Sequence, residues 1–135
     1  MKVTAYSIAP SEKEFLAKAN QKKHEITLIA NELSLETSGF AQGKDAVIIY
    51  KDHITTVMLE DLSRFSIRLI LIPAGALNND IKQTAARLNI KLASALSGSP
   101  EAAACVVQSL DRYEANKCLG KSCLGTSTCR STNRT

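Results

Sequence analysis

Five short apolar runs punctuate this chain: Lys2–Ser7, Glu25–Ile29, Ala46–Tyr50, Leu69–Ile72 and Lys91–Ala93. They recur roughly every twenty residues with helix-like segments between them, the alternation expected of βαβ units and a parallel sheet. Val47-Ile48-Ile49 and Leu69-Ile70-Leu71-Ile72 are apolar without a break, as strands must be when helices cover both of their faces. Five such units predict an α/β fold of flavodoxin-like type, a doubly wound, parallel, five-stranded sheet of order 2-1-3-4-5.

The intervening segments carry helix starts. Ser11, with Glu14 three residues on, reads as a capping box ahead of Phe15, Leu16 and Ala19. Ser34 opens a short second helix. Thr55 or Thr56 precedes Met58, Leu59, Leu62 and Phe65 at helical spacing, and Asn79 or Asp80 is placed to cap Ile81–Leu88. Ser99-Pro100-Glu101 combines an N-cap, a proline at the first helical position and an acid in the first turn, and the helix it starts is predicted to run to about Lys117. The organisation that follows is a flavodoxin-like body over 1–98, a helix over 99–118 and a tail over 119–135. The tail, rich in Ser, Thr and Gly, has too little to bury to offset its ordering entropy and is expected to be disordered.

Composition narrows the function classes. The 135 residues are 44% hydrophobic and 22% charged, an ordinary balance for one globular domain. Trp is absent, so Ile, Leu, Val and Ala must build the core. The net charge of +4 sits mostly at the end, since residues 1–110 hold twelve basic and eleven acidic side chains. A basic binding face is therefore not expected, nor a nucleic-acid partner. No apolar run approaches the ~18 residues that span a bilayer, and Met1-Lys2 does not lead into a signal-peptide core. The expectation is a cytoplasmic protein without membrane contact, with Cys105, Cys118, Cys123 and Cys129 as thiols.

Cys118, Cys123 and Cys129 are spaced too loosely for a structural zinc site and have no His near them, so no metal is expected. His24 and His53 lack an acidic or Cys partner at useful spacing and are expected at the surface. None of the six glycines forms a G-x-G, and the first run is followed by Ile8-Ala9-Pro10-Ser11. Backbone amides therefore have no loop in which to approach a pyrophosphate, which argues against a dinucleotide site. Glu12 is equally unfavourable for the phosphate of a flavin.

Several segments then fall in a telling order. Lys2-Val3-Thr4-Ala5-Tyr6-Ser7 is followed by Glu14-Phe15-Leu16, then His24-Glu25-Ile26-Thr27-Leu28 and Gly43-Lys44-Asp45-Ala46-Val47-Ile48-Ile49-Tyr50. Asn78-Asn79, Ala85-Ala86-Arg87-Leu88-Asn89-Ile90-Lys91 and Ser99-Pro100-Glu101-Ala102 complete the series. In order and spacing it resembles the substrate-binding (catalytic) domain of D-2-hydroxyacid dehydrogenases, D-lactate dehydrogenases in particular, as far as Leu110. The resemblance implies that the helix opening with Ser-Pro is the one that crosses into an NAD-binding domain. That domain supplies the family's Gly-rich loop and its catalytic Arg, Glu and His. By this resemblance the chain carries no catalytic residue and binds no NAD. Hydride transfer needs a bound nicotinamide and a placed acid/base, so the chain alone is expected to be inactive. The shift in composition after Leu110 predicts a shortened or frame-shifted gene.

The resemblance also implies a vestigial substrate site. After the fourth run the family shows an Arg, two residues and a Gly, where this chain has Pro73-Ala74-Gly75-Ala76. Pro73 has no N–H, but Ala74, Gly75 and Ala76 can form an amide nest for a small 2-hydroxy or 2-oxo acid, or simply a turn. Tyr50 matches a substrate-side aromatic of some members, or packs at a strand end. The family's Tyr before Ser-Pro aligns with Gly98, its Pro with Leu96, and its Glu-His pair with Cys105-Val106. Ala102, Cys105, Val106, Ser109, Leu110 and Tyr113 form one apolar helix face, which in the family lies between the two domains. Here Val106, Leu110 and Tyr113 fold back on the sheet, stay exposed or meet another chain. That chain would be a second copy, or a separate NAD-binding chain completing a split dehydrogenase. A small-acid or protein-binding module is the remaining alternative.

Overall fold

The five apolar runs form strands β1 (Lys2–Tyr6), β2 (Glu25–Leu28), β3 (Ala46–Ile49), β4 (Leu69–Ile72) and β5 (Lys91–Ser94), each within one residue of the expected bounds. In the computed structural model, which describes residues 1–34, 36–51, 54–117, 119 and 124, all neighbouring strands are parallel. Their order is β2-β1-β3-β4-β5, the predicted doubly wound topology. The chain reverses direction across the sheet between β1 and β3, and the crevice at the carboxyl ends of these strands is the place where such folds take ligands.

Four helices cover the sheet: α1 (Pro10–Asn20), α2 (Thr56–Arg64), α3 (Asn79–Arg87) and α4 (Pro100–Glu114). Side chains alternate between the faces of a strand, and both faces here are dry. Val3, Ala5, Ala46, Ile48, Leu69 and Leu71 point to one side and pack with Leu16 of α1 and Val106, Val107 and Leu110 of α4. Val47, Ile49, Ile70 and Ile72 point to the other and pack with Leu59 and Leu62 of α2 and Ile81 and Ala85 of α3. Two covered faces explain why β3 and β4 are apolar at every position.

The helix starts refine the expectations. Thr55 caps α2, its hydroxyl accepting from Met58 N at 3.3 Å. Ser99 caps α4, accepting from Ala102 N at 3.1 Å, and that helix ends at Glu114, short of Lys117. Asn78 rather than Asn79 or Asp80 caps α3, accepting from Ile81 N at 2.9 Å. The capping box at Ser11 does not form, because Pro10 already occupies the first turn and Ala9 is the N-cap. Glu14 pairs along the helix with Lys18 instead. Ser34 opens no helix: its carbonyl receives the amides of Thr37 and Ser38, making a turn that leads into a 3-10 turn over Ser38–Ala41. Thr37 Oγ1 stabilises that turn by accepting from Ser34 N and donating to Glu32 O.

Of the three fates left open for α4, the structure takes the first for Val106 and Leu110. Val106 and Leu110 have no exposed surface, because α4 lies against α1 and the sheet and closes the domain's own core. Tyr113 is half-buried beside them. Leu119 is buried in the same cluster, and Leu124 donates its amide to Leu92 O, on the outer edge of β5, at 3.0 Å. The expectation of disorder otherwise falls on residues outside those described, as do the expectations for His53, Cys118, Cys123 and Cys129.

Candidate functional site

Ser7, Tyr50, Pro73 and Ala95 each follow directly on the last residue of β1, β3, β4 and β5, so they share the carboxyl-terminal edge of the sheet. Two of the sequence-predicted elements meet here, since Tyr50 follows β3 and the Pro73–Ala76 loop follows its neighbour β4.

Pro73 (φ −60°) leads into a 3-10 turn over Ala74–Ala76. Ala76 N donates to Pro73 O at 2.9 Å and Leu77 N to Ala74 O at 3.2 Å. Ala74 and Gly75 are exposed, and among the described residues no backbone acceptor pairs with their amides. Ala76, expected as a third donor, is buried and its N–H closes the turn instead.

Tyr50 is held by its amide, which donates to Tyr6 O at 3.2 Å, and its ring packs on the α1/α4 side. Its Oη is buried and has no hydrogen-bond partner. Burial pushes the phenol well above its ordinary range, and the charge of Glu12 adds to the shift. Glu12 itself is 4% exposed. Its Oε1 accepts from Gly98 N at 2.9 Å, tying the start of α1 to the loop before α4, while Oε2 is buried and unpartnered. Gly98 has φ +96°, which favours glycine, so the residue aligned with the family's Tyr is set by backbone conformation.

Sequence reasoning missed Glu12 and Ser7 as members of this edge. Ser7 sits in the left-handed region (φ 59°), with a buried, unpartnered Oγ. Glu12 was visible as an acid misplaced for phosphate, but its contact with Gly98 spans 86 positions.

His24 is a further correction, buried instead of on the surface, with 4% exposure. Its Nε2 lies 2.7 Å from Asp111 Oδ1 of α4 and its Nδ1 3.3 Å from the Met1 ammonium. Asn20 clamps its backbone from both sides, donating to His24 O at 2.7 Å and accepting from His24 N at 3.0 Å. The acidic partner that sequence spacing denied it is 87 residues away. This network stands at the amino-terminal edge of the sheet, beside an open cleft of about 970 Å³ lined in part by Lys2, Lys22, Lys23 and Asp45. Several polar groups of that cleft are already engaged, as with Asp45 Oδ2, which accepts from Lys2 N at 2.8 Å. Among the described residues no group of three His, Cys, Asp or Glu side chains is placed to hold a metal ion, and no helix is long and apolar enough to cross a membrane.

No family model matches the chain. A D-lactate dehydrogenase of Curvularia clavata is 34% identical over 122 residues, which cover 83% of this chain and 35% of that enzyme. A 2-hydroxyacid dehydrogenase A of Aspergillus oryzae is 33% identical over 121 residues, with the same shares covered. Among solved structures, the apo D-lactate dehydrogenase of Escherichia coli matches 87% of this chain and 37% of its own at a TM-score of 0.64 and 25% identity. The NAD-complexed D-isomer specific 2-hydroxyacid dehydrogenase of Lactobacillus delbrueckii ssp. bulgaricus, at 19% identity and a TM-score of 0.61, supports the fold. The resemblance carried by the sequence is therefore shown. The chain spans about a third of the length of the relatives it matches.

Proposed function

We propose that this chain is the substrate-side domain of a D-2-hydroxyacid dehydrogenase, receiving the carboxylate of a small 2-oxo or 2-hydroxy acid on the free amides of Ala74 and Gly75. The observation that carries the reading is the pair of exposed amides at the end of β4, on the same edge of the sheet as Tyr50 and without a backbone acceptor among the described residues, in a chain 34% identical over 122 residues to a D-lactate dehydrogenase. Two amides in one turn are an anion site of modest strength. Tyr50 supplies a wall and a hydroxyl that has no other partner. In this reading Pro73, where the family has an Arg, weakens the site without abolishing it, because the donors come from the next two residues.

The same reading holds that these 135 residues carry out no redox turnover on their own. They contain no G-x-G loop to hold a pyrophosphate, and among the described residues the carboxyl-terminal edge has no histidine to move a proton. NAD and the acid/base would come from a second domain, whether in a longer reading frame or in a separate chain. The domain works in the cytoplasm in this reading, where the free, half-buried Cys105 stays a thiol.

The test is direct. Purified protein should give no pyruvate-dependent loss of NADH absorbance and no quenching of NADH fluorescence, while D-lactate should shift the amide resonances of Ala74 and Gly75 at millimolar concentrations. Turnover by the chain alone would overturn the claim of inactivity, and unmoved amides would overturn the substrate site. The DNA downstream of the reading frame distinguishes the two sources of the second domain.

A further inference from the structure

Strand β5 leaves the sheet beside β4. Ala95 N donates to Ile72 O at 2.8 Å, so residues 96–98 and the turn over Ala74–Ala76 start from adjoining strand ends. Residues 96–98 are exposed and lead straight into Ser99, the N-cap of α4. Among the described residues a single hydrogen bond holds them to the rest of the domain, Gly98 N donating to Glu12 Oε1 at 2.9 Å. Glu12 is a costly acceptor: it is 4% exposed, and its Oε2 is buried with no partner among the described residues. A carboxylate taken out of water destabilises the fold unless it is fully paired, whereas the amide of an exposed loop can bond to water instead. The contact therefore does little for folding, and what it delivers is position. Gly98, at φ +96°, is also the residue type with the most conformational freedom once released.

We propose that Glu12 is a positioning residue of the carboxyl-terminal edge: its carboxylate latches residues 96–98 to the start of α1 and so holds them beside the amides of Ala74 and Gly75. The inference rests on the substrate site proposed above. The turn over Ala74–Ala76 has two flanks, Tyr50 after β3 and residues 96–98 after β5. The first is fixed by its amide on Tyr6 O and by its packed ring. The second depends on Glu12, whose charge also acts on Tyr50, so that one carboxylate is within electrostatic reach of both flanks. Released, residues 96–98 sample many arrangements, and an acid binding at Ala74 and Gly75 has to order them first, at a cost in affinity. The bond to an ionised acceptor is stronger than one between neutral groups, but a neutral acceptor of the same shape keeps its geometry.

Amide hydrogen exchange and a D-lactate titration, both followed by NMR on the isotope-labelled full chain, test the latch. In the unaltered protein Gly98 should exchange about tenfold more slowly than its neighbour Ser97. Glu12→Ala should remove that protection and weaken lactate binding at Ala74 and Gly75 about fivefold. Glu12→Gln, whose amide oxygen still accepts from Gly98 N, should bind lactate to within about twofold of the unaltered protein. A merely structural role would lower the stability of Glu12→Ala and leave its lactate affinity alone, which would overturn the proposal. So would a Glu12→Gln variant that binds as poorly as Glu12→Ala. An unprotected Gly98 amide in the unaltered chain would overturn it too, and that measurement needs no variant to fold. Lactate that moves no amide of the unaltered protein would sink the substrate site and the positioning role together, whereas equal lactate affinity in all three proteins would sink the positioning role alone.

Discussion

The two edges of this sheet handle buried polar groups in opposite ways. At the amino-terminal edge, His24 has Asp111 and the Met1 ammonium on its ring and Asn20 on its backbone, and the ammonium also donates to Glu114 Oε2 at 2.9 Å. At the carboxyl-terminal edge, Ser7 Oγ, Glu12 Oε2 and Tyr50 Oη are buried and have no partner. A buried polar group without a hydrogen bond costs on the order of 1–3 kcal/mol, so chance would not be expected to gather three at one end. The amino-terminal edge is built to hold the domain together, whereas the carboxyl-terminal edge has unused hydrogen-bonding capacity. The larger cleft lies at the first edge and the unpartnered polar atoms at the second, so cavity size and unused hydrogen-bonding capacity do not coincide.

The largest effect that tests this contrast comes from the satisfied edge. Asn20→Ala would orphan the N–H and C=O of His24, both buried. It should cost about 2–4 kcal/mol, from the loss of two such groups, read as a lower urea midpoint with an unchanged slope. Lactate binding at Ala74 and Gly75 should not change. A loss below about 0.5 kcal/mol would mean that water serves His24 as well as Asn20 does, and the amino-terminal edge would lose its structural character.

A smaller effect comes from alkali, because the carboxyl-terminal edge holds one paired and one orphaned phenol. Tyr6 Oη donates to Thr37 O at 2.7 Å, and burial pushes its pKa up to about 12 from 10.0. The phenol of Tyr50 is raised as well, by burial and by the charge of Glu12. An acid raised on folding ionises first in the unfolded chain, so the unfolded state gains as pH climbs past its value of about 10. Stability should therefore be complete below pH 10 and fall as pH rises towards 12, the folded value of Tyr6. The slope is about 1.4 kcal/mol per pH unit for each tyrosine involved. Denaturation at a series of pH values, with tyrosinate absorbance as a second probe, measures it. Tyr6→Phe should flatten the fall, and a flat profile in the unaltered protein would show that neither ring is shielded from water.

The same contrast shows why some of this was legible in the sequence and some was not. The strands were, because a face-to-face core demands apolar residues at every position of β3 and β4, and that demand is local. So was the start of α4, where Ser99, Pro100 and Glu101 satisfy three separate requirements of one turn. Asn78, Asn79 and Asp80 all carry capping side chains, so the sequence put the cap of α3 at Asn79 or Asp80, one or two residues past Asn78. The α4 face read equally well as interface or core, since periodicity says that a face is covered and not by what. His24 was misread and Glu12 missed for one reason: each finds its partner more than eighty positions away, where composition and spacing carry no signal. The Ala74–Ala76 loop was legible through its family resemblance, but the loss of the Ala76 amide to the turn is a matter of geometry.

The smallest expected effect bears hardest on the comparison. Tyr50→Phe removes one oxygen and leaves the ring, and with it the packing against the α1/α4 cluster. If Oη is orphaned in solution as in the structure, its removal deletes a group that had lost its water and gained nothing. Stability should then be unchanged or rise by up to about 1 kcal/mol, while lactate binding at Ala74 and Gly75 weakens severalfold because the ligand loses a donor. A gain in stability coupled to a loss of binding is the signature of a site kept at the fold's expense. Stability falling by about 1 kcal/mol with binding intact would show that the hydroxyl is satisfied within the protein, and Tyr50 would then belong with His24 as a structural residue.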